Sequence, residues 1–117
     1  MTNDMFYQGF EGEGEICFIS GENKMILWEG YFLTILDNIF FTAEKGGMLE
    51  AYTKCEGWYD GEPWRIEDVA MTIRQLSCFD EKNPELPTWK EMVVKVKNAI
   101  VAFLRENEPE EIFIEYN

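Results

Sequence analysis

Apolar positions along the chain change period several times, and each change marks an expected element. Ile16 to Ser20 is a short β-prone run between Gly14 and Gly21, which predicts a strand over about 15–20. Trp28, Tyr31, Phe32, Ile35, Leu36, Ile39 and Phe40 then recur at helical spacing, which predicts one long helix over about 24–44, stopped by Gly46-Gly47. Leu33 and Phe41 add apolar area off that stripe, so the helix should be buried on most sides. Residues 48–55 follow the double glycine and precede a turn, and are read as a second strand.

Asp60-Gly61 and Pro63 mark an aromatic-rich loop from Cys55 to Trp64. A helix over about 66–78 should turn Ile66, Val69, Ala70, Ile73 and Leu76 inward, with Glu67-Asp68 as first-turn acids facing its dipole. Pro87 followed by Thr88-Trp89-Lys90-Glu91 predicts a capping box, with Thr88 as N-cap and Glu91 three residues later. The helix it opens should bury Trp89, Val93, Val96, Ile100 and Phe103 and end near residue 105, before Asn107 and Pro109. Glu111-Ile112-Phe113-Ile114-Glu115-Tyr116 reads as a final strand. The expected order is β-α-β-α-α-β. It is an α+β (α/β) fold with a small, mostly antiparallel or mixed sheet packed against about three helices.

A chain of 117 residues fits one domain, 1–117, and 46% apolar residues are enough for a packed core. Charge sharpens this picture. Asp and Glu number 23 against 10 Lys and Arg, for a net charge of −13. Residues 1–23 hold Asp4, Glu11, Glu13, Glu15 and Glu22 without a basic residue, and residues 106–117 hold Glu106, Glu108, Glu110, Glu111 and Glu115, also without one. Most of the field would come from one region if the two ends lie side by side. Such a surface repels nucleic acid and anionic lipid and attracts basic proteins. Lys90, Lys95, Lys97 and Arg105 fall together on the expected long helix, where they should form a solvated face or pair with acids.

Catalytic equipment is sparse. Histidine is absent, which removes the commonest general acid–base group and metal ligand. Cys17, Cys55 and Cys78 lack the spacing of a zinc site and read as reduced, inert core thiols; only Lys54 beside Cys55 offers an adjacent positive charge. Neither a phosphate-binding glycine loop nor a nucleophile elbow occurs. Paired carboxylates leave a carboxylate-based hydrolase as a remote class, and Glu11-x-Glu13-x-Glu15 can line one side of an extended segment without forming a Ca²⁺ loop. No cofactor and no metal are expected. The N-terminal residues do not have the make-up of a signal peptide, and the apolar stretch at 25–41 is too interrupted to span a bilayer, so a cytoplasmic location is expected.

Trp58-Tyr59-Asp60-Gly61-Glu62-Pro63-Trp64 packs three aromatics and two acids into seven residues. Its aromatics either plug the core or anchor an interface whose acids meet Lys or Arg. With the helix after it, the capped long helix and the terminal Ile-Phe-Ile strand, the 56–68 segment resembles bacterial immunity proteins of contact-dependent-inhibition and other polymorphic toxin systems. The resemblance implies a non-enzymatic cytoplasmic inhibitor that binds a cognate toxin, often a basic nuclease. It carries over no contact residue. Charge and aromaticity give the expected partner-binding set: Glu11, Glu13, Glu15, Trp58, Tyr59, Asp60, Glu62, Glu108, Glu110 and Glu111. A general acidic adaptor, or an inhibitor that mimics nucleic acid, is the alternative.

Overall fold

The computed structural model describes residues 1–40, 44–54 and 62–117. Among these are five strands, β1 (Thr2–Phe6), β2 (Glu15–Ser20), β3 (Asn23–Trp28), β4 (Trp64–Arg65) and β5 (Phe113–Tyr116). Four helices accompany them, α1 (Glu29–Asp37), α2 (Gly47–Lys54), α3 (Val69–Ser77) and α4 (Lys90–Asn107). The strands form one sheet in the order β1-β3-β2-β5-β4, with β1 parallel to β3 and every other pair antiparallel. The expected α+β class with a mixed sheet is therefore the observed one.

The central hairpin corrects the first helix. Ser20 pairs with Asn23 across the two-residue turn Gly21-Glu22, and Gly21 takes a φ of 58°. A left-handed first turn position of this kind favours glycine and aligns the twist of the two strands. From Asn23 to Trp28 the period is two, with Met25 and Leu27 buried and Lys24 exposed. The helical repeat is real only from Glu29 to Asp37, where Tyr31, Phe32, Ile35 and Leu36 are buried. After the cap at Asn38, Ile39 bridges Phe79 and Phe40 is 49% exposed instead of lying on an inner stripe; Phe41 lies outside the described residues.

Three further expectations change. Residues 47–54 are helical, not a strand. Met48, Leu49, Glu50, Ala51 and Lys54 are strong helix formers, and Glu50 pairs with Lys54 one turn later at 2.7 Å. Thr88 caps no helix: the N-cap is Trp89, without a side-chain cap bond, and Trp89 is 37% exposed. Asp68 is instead the N-cap of α3, its Oδ1 accepting from the Met71 N–H at 2.9 Å. The inner face of α3 is rotated, so that Thr72 and Gln75 are buried with Leu76 while Ala70 is exposed. β1 was not visible in the sequence pattern, because Thr2–Phe6 does not alternate and its pairing comes from β3, some twenty residues on.

One layer of helices covers one face of the sheet. Ile16, Phe18, Met25, Leu27 and Ile114 point into a shared core with Phe32, Val96, Ile100 and Leu104. Phe18 meets Phe32 edge-on at 5.7 Å and Phe103 at 6.4 Å, which ties β2 to α1 and α4. Each such fully buried side chain contributes about 1.5–3 kcal/mol relative to exposure. Cys17, Ile19, Ile26, Phe113 and Glu115 alternate onto the opposite face. No helix among the described residues is long and apolar enough to cross a membrane.

Candidate partner-binding surface

The β2–β3 turn reaches the C-terminal end of α4. The Asn23 side-chain amide donates to Asn107 Oδ1 at 3.0 Å, and Asn107 Nδ2 donates to the Phe103 carbonyl at 2.8 Å. Past the helix end, the Glu110 N–H returns to the Asn107 carbonyl at 2.9 Å. The chain then enters β5, and the Ile112 carbonyl accepts from the Ile66 N–H at 2.9 Å. These bonds enclose an open cleft of about 710 Å³ between hairpin and turn. Its walls are Ser20, Gly21, Glu22, Asn23, Asn107, Glu110, Glu111 and Phe113.

The side chains of the cleft carry one sign of charge, with the Met1 ammonium as the nearby cation, donating to the Glu22 carbonyl at 2.9 Å. Three of its lining side chains are carboxylates and none is basic. Glu106 and Glu108, both exposed, flank it at the end of α4. Acids at a helix C-terminus oppose the macrodipole, so stability of α4 does not account for them. Glu111 is 3.8 Å from Arg65, a contact exposed on both sides that contributes little.

The expected site residues divide among separate places. Glu108, Glu110 and Glu111 stand at or beside the cleft. Glu11, Glu13 and Glu15 lie at the other end of β2, whose six residues span about 20 Å. That exceeds the Debye length of about 8 Å at physiological salt, so the two acidic groups are screened from one another. Glu62 is exposed ahead of β4, at the sheet edge. Trp58, Tyr59 and Asp60 lie outside the described residues, as does Cys55. Glu22 belongs with the C-terminal acids, a grouping the linear sequence does not reveal. Its available signal was the Gly21-Glu22 hairpin turn, which places Glu22 at the β5 entry.

The remaining candidate chemistry is quiet. Burial pushes the Cys17 thiol up to about 11; Lys24 opposes that shift, while Glu115 and Glu15 add to it. A thiol held this high is a poor nucleophile. Cys78 closes α3 as its C-cap. Among the described residues no group of three or more Cys, Asp or Glu side chains is placed to hold a metal ion. On α4, Lys90, Lys95 and Arg105 are exposed. Lys97 takes the other expected course and pairs with an acid, its Nζ 3.2 Å from Glu81 and only 14% of its side chain exposed.

Comparison with protein-family models, with curated proteins and with solved structures found no match.

Proposed function

We propose that this protein works by binding a basic protein partner through the cleft between the β2–β3 turn and the entry to β5. The observation that carries the proposal is the placement of Glu22, from the acidic N-terminal stretch, on the same cleft as Glu110 and Glu111 from the acidic C-terminal one. The hairpin and the tight turn fix the backbones of Glu22, Glu110 and Glu111, so binding Lys or Arg orders side chains but not the main chain that presents them. A field of one sign also steers encounter, raising association rates by roughly 10- to 1,000-fold.

Within that class, the partner proposed is a cognate bacterial toxin of the basic, nuclease type, with this protein as its cytoplasmic immunity protein. The resemblance of the 56–68 segment and of the helix–helix–strand ending supports this partner class. Acids on the cleft would occupy the place of nucleic-acid phosphates against the toxin's Lys and Arg, and the inhibitor would need no catalytic group of its own.

The test is stopped-flow association with the basic protein encoded immediately upstream in the native host. A 1:1 complex is expected, with an association rate that falls steeply as salt rises. The triple charge reversal Glu22→Lys, Glu110→Lys, Glu111→Lys should slow association at least tenfold, by loss of steering. Absence of a complex, or a rate indifferent to both salt and charge reversal, would overturn the proposal.

A further inference from the structure

The end of β2 away from the cleft carries a different kind of surface. The loop joining β1 to β2 folds back over the end of β3. The Phe10 N–H donates to the Tyr7 carbonyl at 3.0 Å, the Glu13 N–H to the Phe10 carbonyl at 3.0 Å, and the Glu29 N–H to the Gly14 carbonyl at 3.1 Å. Tyr7 Oη donates to the Glu13 carbonyl at 2.6 Å. The folded loop lays the Phe10 ring on Trp28, with centroids 4.2 Å apart and planes 6° from parallel. Tyr31 stands edge-on to Trp28 at 5.2 Å, and Trp89 closes the group at 5.7 Å from Trp28 and 5.5 Å from Tyr31. The Trp28 ring also lies on the backbone at Gly30, where a Cβ would be 2.4 Å from the indole.

This cluster is packed ring against ring but only partly covered. Trp89, the N-cap of α4, and Met92 in its first turn are each 37% exposed, whereas Phe18 and Phe32 are fully buried. Its surroundings are acidic. Glu11 and Glu13 are exposed on the loop that holds Phe10, and Glu91 is exposed in the first turn of α4, against Lys90. Glu11 is steadied by the Gly9 N–H, which donates to its Oε2 at 3.1 Å.

The geometry points to this aromatic cluster as a docking site for an arginine-bearing segment of a protein partner. A guanidinium is planar and weakly hydrated, so it stacks on the exposed indole of Trp89, Trp28 being covered by Phe10 and the Gly30 backbone, while its N–H groups meet rim carboxylates. The compact, strongly hydrated ammonium of lysine does this less well. A purely apolar segment would bury the rim acids without partners, and a nucleic acid or anionic lipid surface would meet like charge. The site stands about 20 Å from the cleft by the length of β2, and it does not depend on the cleft's role.

The test is a titration of the protein, labelled at its tryptophan indoles, with acetylated tetra-arginine amide, and with tetra-lysine and tetra-glutamate amides as controls. Tetra-arginine should give saturable shifts of the Trp28 and Trp89 indole N–H signals, tetra-lysine should bind at least about threefold more weakly, and tetra-glutamate should not bind. Glu11→Gln with Glu13→Gln should weaken the arginine peptide roughly three- to tenfold, and Trp89→Ala should abolish the Trp28 shift. The cleft variant Glu22→Lys, Glu110→Lys, Glu111→Lys should leave these shifts intact, which separates failure here from failure of the cleft proposal. Absence of saturable shifts at the Trp28 and Trp89 indoles, equal binding of tetra-lysine, or indole shifts that depend on protein concentration without peptide would each overturn the inference. If Trp89→Ala does not fold, the double glutamine variant decides alone, since its side chains are exposed.

Discussion

Asn23 and Asn107, eighty-four residues apart in the chain, are joined by a 3.0 Å hydrogen bond between their side chains. That contact fixes the β2–β3 turn against the end of α4 and so sets the position of Glu22 relative to Glu110 and Glu111. Both ends of the bond are on well-anchored backbone: Asn23 pairs with Ser20, and the Asn107 carbonyl accepts from the Glu110 N–H.

Removing that link should loosen the cleft before it unfolds the protein. Asn23→Ala is expected to cost about 1 kcal/mol in urea denaturation, the usual net worth of one exposed hydrogen bond. Hydrogen exchange at Glu22 and Glu110 should rise more than at β2. Equal protection across the two regions would show that the contact does not organise the cleft.

The two candidate helix caps should behave oppositely. Asp68→Ala removes the acceptor for the Met71 N–H and should cost about 1 kcal/mol. Thr88→Ala should cost no more than a few tenths, because α4 has Trp89 at its N-cap and no side-chain cap bond. Thermal or chemical denaturation of the two variants measures the contrast directly.

Two phenylalanines of one apparent stripe should separate in the same way. Phe32 is fully buried against Phe18, and Phe32→Ala should cost about 3–5 kcal/mol through lost burial and a cavity. Phe40 is 49% exposed, and Phe40→Ala should cost under about 1 kcal/mol. Comparable losses in denaturation midpoints would mean that residue 40 packs like residue 32.

Alkaline pH should weaken the fold. The Cys17 thiol is pushed up to about 11 by burial, and Tyr116 is raised by its hydrogen bond to Glu29, then by burial. Both groups keep their protons to higher pH when folded than when unfolded. Above about pH 9 the unfolded chain therefore binds fewer protons, and stability is lost as pH rises through the folded values. It is fully present below pH 9. For Cys17 the loss is on the order of 2 kcal/mol by pH 11. Cys17→Ala should show a shallower decline from pH 9 to 11 in denaturant midpoints, and Cys17 should resist a disulfide reagent at pH 8 until the protein unfolds.

The residues themselves determined the class of fold, the lack of a histidine, the inert character of Cys17 and the acidity of the two ends. Strong local signals were enough for those features: the apolar run of β2, the long period of α4, the apolar Ile112–Ile114 run that leads into β5. Met25 and Leu27 were harder to assign because the short apolar run Met25–Trp28 satisfies helix and strand alike, and partnership with Ile16 and Phe18 across the hairpin decided it. Residues 47–54 followed their helix propensity once α3 gave them a surface to pack on, and β1 formed only because β3 offered it an edge.

The candidate surface divides along the same line. That Glu110 and Glu111 are acidic is a property of the sequence. That Glu22 joins them, while Glu11 and Glu13 are carried to an aromatic cluster at the far end of β2, is a property of the tertiary structure. Strand pairing and the Asn23–Asn107 contact bring residues together across long sequence separations, and local periodicity contains no term for such contacts.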